Sequence, residues 1–230
     1  MSRPGSACAV LAAALGLLAA CASGPPPPDW QAKAHDALDR AVAAYLAGDS
    51  RVADAEFERA RQELSRTGRA DLLARAALLR CAAQVASLDG LPCSGFEPYR
   101  ADAPAAERAY ADYLAGGVTP QSLALLPAAQ QAVAAAGQAA SATDAALAAV
   151  SDPVSRLVAA GVLLQTGRAS PATLTLAVDT ASAQGWRRPL LAWLELQARR
   201  AEAAGASADA AGLRRRIAWV LGKTASAGPP

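Results

Sequence analysis

From Trp30 onward, apolar residues recur at helical spacing and almost never alternate one for one with polar residues, so the chain reads as all-α. The runs are punctuated by one repeated chemistry. Thr119-Pro120, Asp152-Pro153 and Ser170-Pro171 each place a side-chain oxygen before a proline whose missing N–H costs nothing in a first helical turn. Ser141-Ala142-Thr143-Asp144 has the spacing of a capping box, with Asp in place of the usual Glu. Gly68, Gly90, Gly116, Gly167, Gly185, Gly205 and Gly222 fall where a helix needs a left-handed residue to stop. Together these signals predict helices over 30–47, 50–66, 70–88, 103–115, 120–136 with a break near Pro127, 142–149, 153–166, 171–184, 187–204 and 208–221. The short connections make neighbouring helices antiparallel.

The chain before Trp30 follows another pattern. Arg3 precedes the apolar run Ala7 to Leu18, and the small residues Ala19 and Ala20 follow it, which are the three parts of an export signal. That run falls short of the roughly 20 residues that span a bilayer. Leu18-Ala19-Ala20-Cys21 resembles the lipobox of bacterial lipoproteins, in which the cysteine thiol receives a diacylglycerol, the preceding peptide is removed and the new amino terminus is acylated. The other reading of the stretch is an ordinary cleaved secretory signal. The resemblance makes residues 1–20 a signal peptide and Cys21 a lipidation site. Pro25 to Pro28 then form part of a tether over 21–29, because a proline run favours polyproline II at about 3.1 Å per residue and acts as a stiff spacer. Ala22 and Ser23 lack the aspartate that favours inner-membrane retention in enterobacterial lipoproteins, so the resemblance points to the periplasmic face of the outer membrane. The membrane, reached through the lipid anchor, is thus the first expected partner.

Aromatic residues make up only 4% of the chain and alanine is abundant, so a core must come from close helix packing through small side chains. Helical hairpins of this length invite comparison with 34-residue repeats. Tyr45-Leu46-Ala47-Gly48-Asp49, followed by Ala53, Phe57 and Ala60, resembles the tetratricopeptide repeat, whose turn glycine is followed by small, aromatic and small residues at offsets of five, nine and twelve. Gly167 keeps the first two offsets at Ala172 and Leu176 but has Asp179 at the third. Gly205 keeps only Ala210, with Arg214 and Ile217 at the others. The resemblance implies a divergent tetratricopeptide-like array over 30–222, with 223–230 as a tail. The alternative is an irregular α-helical bundle.

Residues 89–102, DGLPCSGFEPYRAD, form a longer loop than such an array needs. With Cys8 removed in the signal and Cys21 lipidated, Cys81 and Cys93 are the two remaining thiols in an oxidising compartment, so a disulfide is expected between them. A metal pair or a redox couple there lacks both a CxxC spacing and a supporting histidine.

The single histidine, His35, stands among alanines in the first helix, with no nucleophile elbow or orienting acid near it in sequence. Carboxylates alternate with arginines, as in EFERARQEL, the pattern of a solvated salt-paired face. No HExxH, phosphate-binding glycine loop or calcium loop is present. Neither a catalytic residue, a metal ligand nor a cofactor is therefore assigned. The chain carries 22 basic and 20 acidic residues, and only Arg3 among them precedes Cys21, so the remaining balance of +1 offers no case for nucleic acid. Charge is uneven all the same. Trp186 to Lys223 holds eight basic residues against Glu195, Glu202 and Asp209.

These readings converge on a lipid-anchored scaffold or adaptor that meets another envelope protein, the alternative being a peptidoglycan-acting enzyme or a periplasmic ligand binder. If Gly205 turns a terminal repeat, the resemblance places Glu195, Arg199 and Glu202 on the concave, partner-binding face, and their spacing of four and then three residues keeps them on one side of a helix. The same spacing fits a plain surface ion pair between Glu195 and Arg199.

Overall fold

The structure, a computed structural model, describes residues 28–90, 93–137 and 139–223. The signal segment, Cys21, most of the proline tether and the tail beyond Lys223 lie outside the described residues. Eleven α-helices and no strand are found among those described: α1 (Asp29–Ala47), α2 (Ser50–Ser65), α3 (Ala70–Ala86), α4 (Ala105–Leu114), α5 (Pro120–Leu123), α6 (Ala128–Ala135), α7 (Ala140–Ala149), α8 (Pro153–Gln165), α9 (Pro171–Ala183), α10 (Arg187–Ala203) and α11 (Ser207–Val220). The protein is all-α, and the sequence boundaries hold to within two residues at the helix ends, except that α5 stops at Leu123, four residues before the expected break at Pro127. The break at Pro127 separates α5 from α6, since that ring cannot supply an intrahelical N–H.

The local chemistry behind the boundaries is visible atom by atom. Thr119, Asp152 and Ser170 each accept a hydrogen bond from the backbone N–H three residues on, at Ser122, Ser155 and Thr173. Each glycine expected to stop a helix has positive φ. The capping box at 141–144 is a correction. Helix α7 starts at Ala140 after an uncapped Ala139, and Thr143 donates back to the Ala139 carbonyl. Asp144 is free to turn away from its own helix, and accepts from the hydroxyls of Ser170 (2.8 Å) and Thr173 (2.8 Å) at the start of α9. A tertiary contact has taken the side chain that the local pattern assigned to a cap.

Helices α1, α2 and α3 pack mutually, and there Ala53 and Ala60 are fully buried and Phe57 nearly so. At the second glycine the corresponding Ala172 and Asp179 face solvent, while Leu174, Ala177, Val178 and Ala181 point inward. Two contacts then join elements far apart in the chain: α3 lies along α8, and α10 reaches back to α1. An open solenoid touches only its neighbours. This chain closes on itself, and no run of stacked repeats is seen among the described residues.

The core is continuous around α3, α4, α8, α9 and α10. Trp193 of α10 sits at its centre with no exposed surface, and its indole N–H donates to the Ala86 carbonyl at 3.0 Å, which pins α10 over the end of α3. A buried Trp needs such a partner for its one polar atom. At the other junction, Arg188 of α10 lies over the Tyr45 ring at 4.2 Å and donates from Nε to the Tyr45 carbonyl (2.7 Å) and from Nη2 to Ser50 Oγ (2.5 Å). Arg188 also approaches Asp89, which accepts the Tyr45 hydroxyl proton at 2.5 Å. Burial and the Asp89 carboxylate both push the Tyr45 phenol up, so it stays neutral and serves as a donor.

Candidate functional site

A recess of about 610 Å³ lies between α2, α3 and the loop that follows α3. Each wall follows from helical spacing. Asp54, Glu58 and Arg61 recur at four and three residues along α2, and Leu73, Ala77 and Arg80 do the same along α3. Ala76 and Ala77 are small, so the two helices leave a floor with room above it. The loop supplies the third wall through Ser94, Gly95 and Tyr99.

That loop is held by the expected bridge. Cys81 and Cys93 form a disulfide with Cα atoms 5.4 Å apart, inside the range that bridge geometry allows. Phe96 is fully buried beneath the loop, and Arg100 covers its ring at 5.1 Å while pairing with Glu97 (2.9 Å) and Asp112 (2.9 Å). The bridge and the aromatic plug keep the third wall in place although it contains only a single turn of 3₁₀ helix, Glu97–Tyr99.

The charges of the recess are matched in pairs. Arg80 reaches Asp54 at 2.5 Å and lies over the Phe57 ring at 5.3 Å. Glu58 accepts two hydrogen bonds from Arg61, at 2.8 and 2.6 Å, and one from Gln62. Those bonds, the Arg61 pair first, hold the Glu58 carboxyl down at about 2. Asp89, at the inner end, accepts from Tyr45. A Glu58 carboxylate held ionised in this way suits recognition of polar and charged groups better than donation of a proton. Among the described residues no group of three or more His, Cys, Asp or Glu is placed to hold a metal ion.

A second recess, of about 320 Å³, is walled by α4, α6 and α8. Tyr113 donates to Gln130 Oε1 at 2.7 Å, and the Gln130 amide donates to the Ser155 carbonyl at 3.0 Å, so these buried polar atoms tie three helices together. Arg168 at its edge donates to the Gly137 carbonyl and to Thr143 Oγ1 (3.3 Å).

The residues singled out in sequence are distributed as follows. Glu195, Arg199 and Glu202 do share one side of α10, and Arg199 stays exposed. Both carboxylates are engaged, however, by Arg214 of α11, which bonds Glu202 at 2.8 and 3.0 Å and pairs with Glu195 as well. The two acids push the Arg214 guanidinium further up, and Arg214 in turn draws the Glu202 carboxyl below its usual range. His35 is exposed and approaches Asp39 at 3.6 Å on the same helix face. The sequence shows the pieces of the recess separately, the salt-paired face EFERARQEL of α2, the 89–102 loop and its two cysteines, but not the recess itself. Its signal was present in the charged stripe of α2, Asp54, Glu58 and Arg61, facing the small residues Ala76 and Ala77 of α3, but nothing local says that the disulfide loop folds across both.

No family model matches this chain, and neither does any curated protein or solved structure.

Proposed function

We propose that the protein is a lipoprotein anchored through Cys21 on the periplasmic face of the outer membrane, where it acts as an adaptor that holds a segment of another envelope protein. The reading rests on the lipobox-like Leu18-Ala19-Ala20-Cys21 for location and on the α2–α3–loop recess for the grip. One observation carries the second half. The recess combines a small-residue floor with rims of both charge signs, each charge already matched by a partner a few ångströms away. A ligand with its own alternating charges can exchange into such pairs without leaving a charge unpaired, whereas a singly charged ligand that takes one member of a pair strands the other. The exposed Arg199 side of α10 offers a second contact for the same partner.

Photocrosslinking residues at Arg61 and Ser94, on the recess rims, should capture one envelope protein in preference to a probe at Ala145 on the outside of α7. A probe at Arg199 measures whether α10 joins that contact. Equal capture from Ala145 would remove the recess from the proposal. Location has its own test: an alkyne fatty acid should label the native chain and fail to label Cys21→Ala, and equal labelling would end the anchor assignment.

A further inference from the structure

The last hairpin separates its charges by pairing. Of its three acids, Glu195 and Glu202 are both taken by Arg214, and Asp209 stands at the far end, in the first turn of α11. What is left at the other end is of one sign. Arg215, Arg216 and Lys223 have no carboxylate within ion-pairing distance among the described residues, and neither has Arg187, which opens α10 where the antiparallel α11 finishes. Amid these cations stands Trp219, 65% exposed, the most open large apolar side chain of the described protein.

The placement follows from helical geometry. Leu213 and Ile217 turn inward against the core and Ala210 is buried, so the residues about 180° away, Ala208, Gly212, Arg215 and Trp219, form the outward stripe. Arg216 flanks that stripe, and Lys223 follows directly, its N–H closing the helix on the Ala218 carbonyl at 2.8 Å. A tryptophan with three cations within one turn has the composition of a side chain that sits at headgroup level: the indole enters the interface and the cations meet phosphates. Cations alone would serve to meet an acidic protein, and the 65% exposed indole among them adds the amphipathic ring that a lipid interface takes up.

We propose that the α11 end, through Trp219, Arg215, Arg216 and Lys223, docks on an anionic phospholipid surface. The contact needs no lipid on Cys21, so it stands or falls apart from the anchor. If the anchor is present, the eight residues 21–28 extend at most about 29 Å, which keeps the folded body within reach of the bilayer and adds the second contact at high effective concentration.

The test uses the chain from residue 22 onward, which keeps every described residue and lacks both Cys21 and the apolar run. It should sediment with vesicles of phosphatidylcholine containing 30% phosphatidylglycerol and remain soluble with phosphatidylcholine alone. Each cation brought to the surface contributes about fivefold in affinity, so Arg215→Ala, Arg216→Ala and Lys223→Ala together should weaken binding about a hundredfold. Trp219→Ala should weaken it about tenfold, and brominated acyl chains should quench the native fluorescence but leave a Trp219→Phe variant unquenched. Far-UV circular dichroism of each variant confirms that α11 persists. No preference for the anionic vesicles would overturn the proposal. So would binding that Trp219→Ala leaves unchanged and soluble polyglutamate displaces, the result expected of an acidic protein partner.

Discussion

Gly161 lies in the middle of α8 with ordinary helical backbone, where glycine is about 1 kcal/mol less favourable than alanine. Its place is explained by α3. A Cβ added at Gly161 would stand 2.5 Å from the Val85 carbonyl oxygen and 2.8 Å from Val85 Cγ1. The first of these is backbone and cannot rotate aside. Gly161→Ala must therefore push α3 and α8 apart by roughly 1 Å to restore contact distance, and a gap of that size along the seam forfeits about a quarter to a half of the dispersion attraction there. Overpacking of this kind costs about 1–3 kcal/mol. Set against the propensity gain, the net loss is up to about 2 kcal/mol, or a fall in Tm of up to about 8 °C for a domain of this size. Gly212→Ala in α11 is the matched control, because its Cβ would meet only the Arg215 guanidinium, at 3.8 Å. That variant should gain up to about 1 kcal/mol. Urea unfolding of both variants with the disulfide intact gives the comparison. A Gly161→Ala protein as stable as Gly212→Ala would refute the close crossing of α3 and α8.

Three other outcomes follow from the same contacts. Cys93→Ser should lose about 3 kcal/mol by the chain-entropy model for a sequence separation of 12, and thiol titration of the unreduced native protein should find neither Cys81 nor Cys93 reactive. Arg188→Ala removes charged donors from the Tyr45 carbonyl and Ser50 and a cation from the Tyr45 ring; it should cost about 2 kcal/mol and speed hydrogen exchange in α1 and α2 more than in α8. Stability should fall modestly between about pH 4.5 and 2: Glu58, at about 2, and Asp71, Glu97 and Glu202, also lowered, are all drawn down by arginine hydrogen bonds, so their contribution, small because the pairs are exposed, is complete above the unfolded carboxyl pKa and is lost as pH falls through the folded values. Raising salt should narrow that pH dependence, because these pairs are exposed. A pH dependence unmoved by salt would show that the arginine pairs do not govern it.

What the sequence determined by itself is local. Helix starts at Thr119, Asp152 and Ser170, stops at the glycines and the break at Pro127 are decided within four residues of chain, where a hydroxyl meets an orphan N–H or a missing Cβ permits positive φ. The Cys81–Cys93 pair was legible because a bridge within 12 residues depends on little beyond redox compartment and reach. Contacts between helices were not legible in the same way. Alanine faces carry no directional chemistry, so the sequence cannot say that α3 crosses α8 at Gly161 or that α10 returns to α1, and the tetratricopeptide offsets at Gly167 match in spacing while Ala172 points to solvent. Polar side chains with two possible uses were decided by the same closure. Asp144 abandoned a cap for two hydroxyls of α9, and Glu195 and Glu202 clasped Arg214, because a partner brought near by packing adds hydrogen bonds that no neighbour in sequence offers. Only the tertiary structure could place the disulfide loop across α2 and α3, since the recess exists between three segments that share no local pattern.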